Sequence, residues 1–184
     1  INVTRHKAYT VSGEAHYVLA PGMVQSFLSK SADIIHTHSY GYFQNHAGWI
    51  RERFQSTPWV ITPHFHPSWS MWGGSKRKTL REFYDTVIGK GTLEAADLIT
   101  CVSKHERDML VSEIGLKEDN IKIIYNGINW ADWSSVPNKE VFRKQYPTIS
   151  EKFVLFAGSL ATNKGLSEII SAMQIIDKKS GDLV

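Results

Sequence analysis

Four histidines stand in two His-x-His pairs, His36 with His38 and His64 with His66, each at the end of a short apolar run. Ile35-His36-Thr37-His38 completes the run from Asp33, and Thr62-Pro63-His64-Phe65-His66-Pro67 follows Trp59-Val60-Ile61. Positions i and i+2 of a strand share a face, so the rings of His36 and His38 can converge. Pro63 and Pro67 fix φ on either side of His64 and His66, which holds those imidazoles in place. An imidazole so held can donate hydrogen bonds to sugar hydroxyls or phosphate, or exchange a proton near neutral pH. Two pairs could also fill the tetrahedral shell of a zinc ion, although no carboxylate or cysteine lies beside them. The plainer alternative is a set of partly exposed loop histidines bonded to backbone.

Two further stretches carry chemistry-bearing residues. Trp69, Met71 and Trp72 precede Gly73-Gly74 and the basic run Ser75-Lys76-Arg77-Lys78. This reads first as a surface loop whose tryptophans cover the core, since basic runs are commonest on solvated faces. Its functional alternative is a mobile acceptor-side loop, with aromatic faces for a sugar or lipid and cations for a phosphate. The other stretch is Gly158-Ser159-Leu160-Ala161-Thr162-Asn163-Lys164-Gly165, after one apolar run and before a helical one. Glycine lets a phosphate approach the backbone, a helix N-terminus offers free N–H groups, and Lys164 adds a charge. The stretch has neither G-x-G-x-x-G nor G-K-[ST], so neither nucleotide fingerprint applies.

The elements that must position these residues alternate between short β-branched runs and helical patterns, the signature of βα units on a parallel sheet. Strands are predicted over 33–37, 58–62, 98–102, 121–125 and 153–157, each short enough and apolar enough to be covered on both faces. Every candidate residue then falls at a carboxyl strand end, where open parallel sheets bind ligands. Weaker helical patterns run from Pro21 to Lys30 and from Tyr42 to Arg53. Leu80, Phe83, Tyr84, Val87 and Ile88 form one helical stripe, and Leu166, Ile169, Ile170, Met173 and Ile176 another. Ser103 and Glu106 spell a capping box, with Gly115 as the stop. The mixed, polar segment from Asn129 to Ser150 divides the chain into residues 1–128, a linker over 129–150, and the first βα unit of a second α/β domain over 151–184. A lone strand and helix leave apolar faces bare, so residues 153–184 are expected to pack on the first domain or on another copy.

Composition narrows the classes. The 184 residues are 42% hydrophobic and 21% charged, which excludes disordered, collagenous and low-complexity chains. Histidine and tryptophan, 8 and 6 in number, concentrate between residues 36 and 72. Cys101 is the single cysteine, which rules out an intrachain disulfide framework and fits a reducing compartment. No apolar run approaches the ~18 residues of a membrane span, and no signal-peptide pattern opens the sequence. The sequon Asn2-Val3-Thr4 carries little without one. A net charge of +3 suits anionic ligands or an anionic membrane surface and is too small to argue for nucleic acid. The expected location is the cytoplasm, with the cytoplasmic face of a membrane as the alternative. The chain opens on Ile1, which suggests a processed or shortened chain.

Taken in order, these pieces resemble the retaining GT-B glycosyltransferases of the glycogen synthase and phosphatidylinositol mannosyltransferase type, glycosyltransferase family 4. Asp33-Ile34-Ile35-His36-Thr37-His38-Ser39 is similar to that family's D-[VI]-[VI]-H-x-H, and Val60-Ile61-Thr62-Pro63-His64 to its strand ending in T-x-H. Ala96-Asp97-Leu98-Ile99-Thr100-Cys101-Val102-Ser103 is similar to A-D-x-[IV]-x-[AV]-[VS]-S, and Lys122-Ile123-Ile124-Tyr125-Asn126-Gly127-Ile128 to the closing I-x-N-G-[IV]-D strand. Val154-Leu155-Phe156-Ala157-Gly158 through Lys164-Gly165 is similar to V-L-F-V-G-R-L-x-x-x-K-G. Order and spacing agree from about residue 30 to 170.

The resemblance implies a Rossmann-like parallel sheet with helices on both faces, acceptor-side in residues 1–128, followed by the start of a Rossmann-like donor-side domain. It implies transfer of a sugar from a nucleotide-diphosphate-sugar to a hydroxyl of a glycan or lipid-linked acceptor, without a metal ion or other cofactor. His64 takes the role of the residue beside the transferred sugar, and Lys164 that of the lysine neutralising the leaving diphosphate. His38, Ser39, Asn126, Gly158 and Ser159 are the implied substrate-binding positions. Ser159 stands where many members have an arginine, and Asn129 where many have Asp. The family's first glycine-rich loop would precede residue 1, and its paired glutamates would follow residue 184. The chain alone is therefore expected to be inactive, with weak affinity at most for a nucleotide-sugar. Two other readings compete: a zinc-dependent hydrolase built on His36, His38, His64 and His66, and a non-catalytic binding module of GT-B ancestry.

Overall fold

The computed structural model describes residues 2–11, 14–66, 75–135, 138–150, 152–160 and 164–180. Trp69, Met71 and Trp72, Gly73-Gly74, the side chains of Ser75, Lys76, Arg77 and Leu80, and Ala161-Thr162-Asn163 lie outside them. The chain divides into two compact units, Ile1–Ile128 and Asn129–Val184.

In the first unit a hairpin of β1 (Tyr9–Val11) and β2 (Glu14–Leu19) leads into α1 (Pro21–Ser29). Four more strands come after it: β3 (Ile35–His38), β4 (Trp59–Thr62), β5 (Leu98–Cys101) and β6 (Ile121–Ile123). They pair in parallel in the order β3-β4-β5-β6. The strands are connected by α2 (Phe43–Gln55), by α3 (Ser75–Tyr84) running on into α4 (Lys90–Glu94), and by α5 (Lys104–Met109). This is the α/β sheet, flanked by helices, that the alternation of runs requires. Among the described residues, no helix is long and apolar enough to cross a membrane.

Register explains the position of the histidines. His36 lies opposite Val60 and His38 opposite Thr62, so both His-x-His pairs reach the carboxyl edge. Burial covers the inner strands β4 and β5 nearly throughout, while β3 alternates, with Ile35 and Thr37 buried and His36 and His38 exposed. The expectation of strands covered on both faces therefore holds for the middle of the sheet and not for β3. The core gathers Ile35, Trp59, Ile61, Leu93, Ile99, Leu110 and Ile121. Full burial of an aliphatic side chain such as Ile61 or Leu93 contributes about 2 kcal/mol. Trp59 is buried with its indole N–H donating to Thr37 Oγ1 at 2.9 Å. Asp97 of the Ala-Asp pair pins the start of β4: its Oδ2 accepts from Trp59 N at 2.8 Å, and its own N–H donates to Trp59 O.

Two helical expectations are corrected. Phe83, Val87 and Ile88, read as a buried stripe, are 59%, 59% and 42% exposed. A π turn over Asp85–Gly89 interrupts the helix. The buried residues of this stretch are instead Gly89, Thr92, Leu93 and Ala96, an i, i+3, i+4, i+7 face of their own. Gly89 is required there, because a Cβ at that position would overlap the hydroxyl of Tyr40. The capping box is half made. Ser103 Oγ accepts from Glu106 N at 3.1 Å, but the Glu106 carboxylate turns elsewhere. Gly115, left-handed at φ 74°, ends this helical stretch as read.

The second unit contains α6 (Lys139–Gln145), capped by Asn138 Oδ1, and α7 (Leu166–Ser180). Phe142 of α6 stacks on Phe153 at 5.6 Å, and Arg143 Nη1 donates to the carbonyls of Ile149 and Ser150. Residues 153–157 form no strand: among the described residues they have no ladder partner, and a strand is defined by its partner. Val154 and Leu155 are exposed, as are Ile170 and Ile176 of α7.

Candidate functional site

Two left-handed residues shape the carboxyl edge. Ser39 follows β3 at φ 71° and His64 follows β4 at φ 47°. Non-glycine residues adopt this conformation only when neighbours hold them there, and such strain clusters at working sites. Backbone bonds Ser39 N to Thr62 O (2.9 Å) and Tyr40 N to Pro63 O (2.6 Å) carry the β3–β4 ladder past the strands. From the first turn of α2, Gln44 donates to His38 O at 2.7 Å and the buried Asn45 to Ser39 O at 2.5 Å.

Within this frame His38 Nδ1 meets His64 Nε2 at 3.2 Å. The rings are 20° from coplanar with centroids 5.5 Å apart, so they meet edge to edge rather than face to face. A hydrogen bond between two imidazoles uses one donor and one acceptor nitrogen, so the facing nitrogens are spent on each other. His36 packs beside His38 at 4.3 Å, but its Nε2 binds Thr62 Oγ1 at 2.7 Å, and Thr62 Oγ1 in turn meets Thr100 Oγ1 at 2.5 Å. Burial, helped by the neighbouring His38 and His64, holds the His36 pKa below its ordinary value.

A cleft of about 110 Å³ opens beside the pair, lined by Ser39, Tyr40, Tyr42, Pro63, His64, His66 and Arg81. The Arg81 guanidinium lies over the Tyr40 ring at 4.7 Å and donates to Asp85 Oδ1 at 2.7 Å. The Tyr40 hydroxyl donates to the same Asp85 oxygen at 2.8 Å. Burial first, then that bond, raises the Tyr40 pKa, so the phenol stays protonated. This wall of the cleft is a rigid polar lattice around one carboxylate.

The structure thus brings Ser39, His64 and His66 to one cleft, sets His38 beside it through its contact with His64, and turns His36 away to Thr62. Asn126 is exposed beyond β6 and is not among the residues lining the cleft. Gly158, Ser159 and Lys164 are exposed in the second unit, Lys164 just ahead of α7. Among the described residues no group of three or more His, Cys, Asp or Glu side chains is arranged to hold a metal ion. With the facing nitrogens of His38 and His64 spent on each other, the donor geometry favours sugar chemistry over the zinc hydrolase. Sequence reasoning missed Tyr40, Tyr42 and Arg81; the i, i+4 spacing of Arg81 and Asp85 was the one readable signal.

Residues 3–131 match the family model of Glycosyltransferase Family 4. The chain belongs to that family. The matched stretch contains the whole sheet and the histidine cleft, so it is the family's domain that carries the His38–His64 pair. An uncharacterized glycosyltransferase of Methanocaldococcus jannaschii, MJ1607, is 36% identical over 98 residues, 50% of this chain and 25% of that protein. Family resemblance extends further along the chain in the GDP-mannose:cellobiosyl-diphosphopolyprenol alpha-mannosyltransferase of Xanthomonas oryzae, 23% identical over 170 residues, 91% of this chain and 39% of that protein. A second M. jannaschii glycosyltransferase, MJ1178, is 27% identical over 153 residues, 81% of this chain and 36% of that protein. The chain spans well under half the length of these curated relatives.

Two partly desolvated histidines give this domain a pH dependence of known sign. Burial holds the pKa values of both His36 and His46 below the ordinary 6.5. The unfolded chain then takes up protons first as pH falls. Their contribution to stability is complete above about 6.5 and is lost as pH falls from there toward the lowered folded values. Melting temperature should drop between pH 7.5 and 5, and the double variant His36→Gln, His46→Gln should flatten that drop. An unchanged slope in the double variant would assign the acid sensitivity to other groups.

Proposed function

We propose that the protein containing this chain transfers a sugar from a nucleotide-diphosphate-sugar to a hydroxyl acceptor with retention of anomeric configuration. The observation that carries this reading is the His38–His64 pair, held on two left-handed turns at the carboxyl edge of a parallel sheet and opening onto a polar cleft. In this reading Ile1–Ile128 is the acceptor side and the unit from Asn129 begins the donor side. His64 hydrogen-bonds the sugar more strongly as positive charge develops at its anomeric carbon, an electrostatic contribution made mainly in the transition state. Ser39 lines the acceptor cleft and His38 meets substrate beside it, paired to His64, while Asn126 contacts substrate at the same sheet edge and Lys164 with Gly158 and Ser159 meets the departing diphosphate. Phosphate charge is balanced there by a lysine and a helix N-terminus, so no metal ion is called for. The Xanthomonas relative, named for a diphosphopolyprenol-linked acceptor, makes a lipid-linked glycan the first acceptor class to try.

The test is to incubate the full-length protein with a panel of nucleotide-diphosphate-sugars and polyprenyl-diphosphate-linked acceptors, with chelator present, and to determine product anomeric configuration by NMR. Transfer with retention, undiminished by chelator, is the expected result. Inverted product, or hydrolysis that depends on zinc, would refute it.

A further inference from the structure

The strand ends are tied by a residue outside the cleft. Glu106, in the first turn of α5, is 3% exposed. Its Oε1 accepts from Phe65 N at 2.8 Å, and its Oε2 accepts from Val102 N at 2.8 Å. One carboxylate thus joins the chain just past β4 to the chain just past β5, and both its oxygens are used. The Phe65 N–H belongs to the same peptide plane as the His64 carbonyl, so anchoring it fixes ψ of His64. Pro63, fully buried, closes the other side, and Phe65 itself is buried. His64 is left with its backbone locked at φ 47° and its ring alone projecting to meet His38.

We propose that Glu106 is a positioning residue for sugar transfer: it holds the His64 peptide in the left-handed conformation that pairs the His64 ring with His38, and acts on the reaction only through His64. The inference rests on the reading of His64 given above. Carboxylate is the side chain suited to the place, because two inward-pointing N–H groups need two acceptor oxygens. Glutamine of the same length offers one oxygen and turns an NH2 toward the other N–H, so one of the two loops must let go.

The first arm of the test uses this chain with histidine isotopically labelled and reads the imidazole signals by NMR. Glu106→Gln should shift the ring signals of His64 and His38 and leave those of His6 and His46 in place. Ser103→Ala removes the cap of the same helix without touching the carboxylate, and should leave His64 and His38 unmoved. Where the Gln variant does not fold, Glu106→Asp, which withdraws the charge by one methylene, reads the same signals. In the second arm, with the full-length protein, Glu106→Gln should lower kcat about tenfold or more, and cost nothing further in a His64→Ala background. Unmoved His64 and His38 signals, unchanged kcat, or a second full loss in the His64→Ala background would each overturn the proposal. Normal turnover in His64→Ala alone would instead remove the functional reading of His64, and the NMR arm would still decide whether Glu106 holds the loop.

Discussion

His64→Ala in the full-length protein should lower turnover about a hundredfold while moving the melting temperature little. The catalytic half of this expectation comes from the cleft. The His64 Nε2 faces His38, which leaves Nδ1 as the ring atom free to turn toward a bound sugar. A hydrogen bond that strengthens as charge develops is worth about 3 kcal/mol in the transition state, which converts to roughly a hundredfold in rate. The stability half comes from burial. His64 is exposed, whereas the buried contacts of that loop belong to Pro63 and Phe65. Alanine meets the same left-handed backbone that histidine does, so local strain stays similar and the change should be within ~0.5 kcal/mol. His66, which lines the cleft outside the paired rings, should matter less. Steady-state kinetics beside a thermal melt decides the matter: near-normal turnover, or a large loss of stability without a catalytic defect, would return His64 to a structural part.

The parts of this architecture that depend on local pattern were legible in the residues, and the parts that depend on meeting partners were not. Four strands could be read to within a residue or two, because each is a β-branched run between turn signals, and parallel pairing is dictated by the helices between them. The His-x-His pairs could be placed at one edge for the same reason. What could not be read is that His38 and His64 face one another, since this depends on a one-residue ladder register and a left-handed turn. The β1–β2 hairpin escaped notice, although Tyr9-Thr10-Val11 and Tyr17-Val18-Leu19 flank Ser12-Gly13. The stripe through Phe83, Val87 and Ile88 misled because periodicity reveals an apolar face without saying which face is covered, and the covered one runs through Gly89, Thr92 and Leu93. Glu106 misled more instructively. Its spacing from Ser103 spells a local cap, yet only one carboxylate oxygen stays local, on Val102 N, while the other is taken by Phe65, 41 residues away in sequence. The run 153–157 has the composition of a strand, but composition supplies no neighbour to pair with.

Arg51→Met should be the most destabilising single change on the helical side of the first unit, by about 3 kcal/mol. Arg51 lies on α2 at 4% exposure, the kind of burial that arginine tolerates only when its donors are satisfied. Its Nη1 donates to the carbonyl of Phe27 and, at 2.5 Å, to that of Lys30, while Nε donates to Thr57 Oγ1 at 3.1 Å. The two carbonyls end α1, where the helix leaves acceptors without intrahelical partners and carries its negative pole. One side chain therefore closes α1, fixes α2 against it, and ties in the buried Thr57 before β4. Methionine would fill much of the volume but leave those acceptors dry, and each charge-assisted bond of this kind is worth about 1.5–3 kcal/mol. Partial rehydration at the helix end brings the expected net to about 3 kcal/mol, a fall in melting temperature of roughly 10 °C for a domain of this size. Arg51→Lys should recover only part of it, because an ammonium on a flexible stem reaches one carbonyl where the planar fork reaches several groups. Thermal melts of the two variants provide the check. A fall of less than about 2 °C for Arg51→Met would mean that water already serves the end of α1, and that the guanidinium is a passenger between the helices.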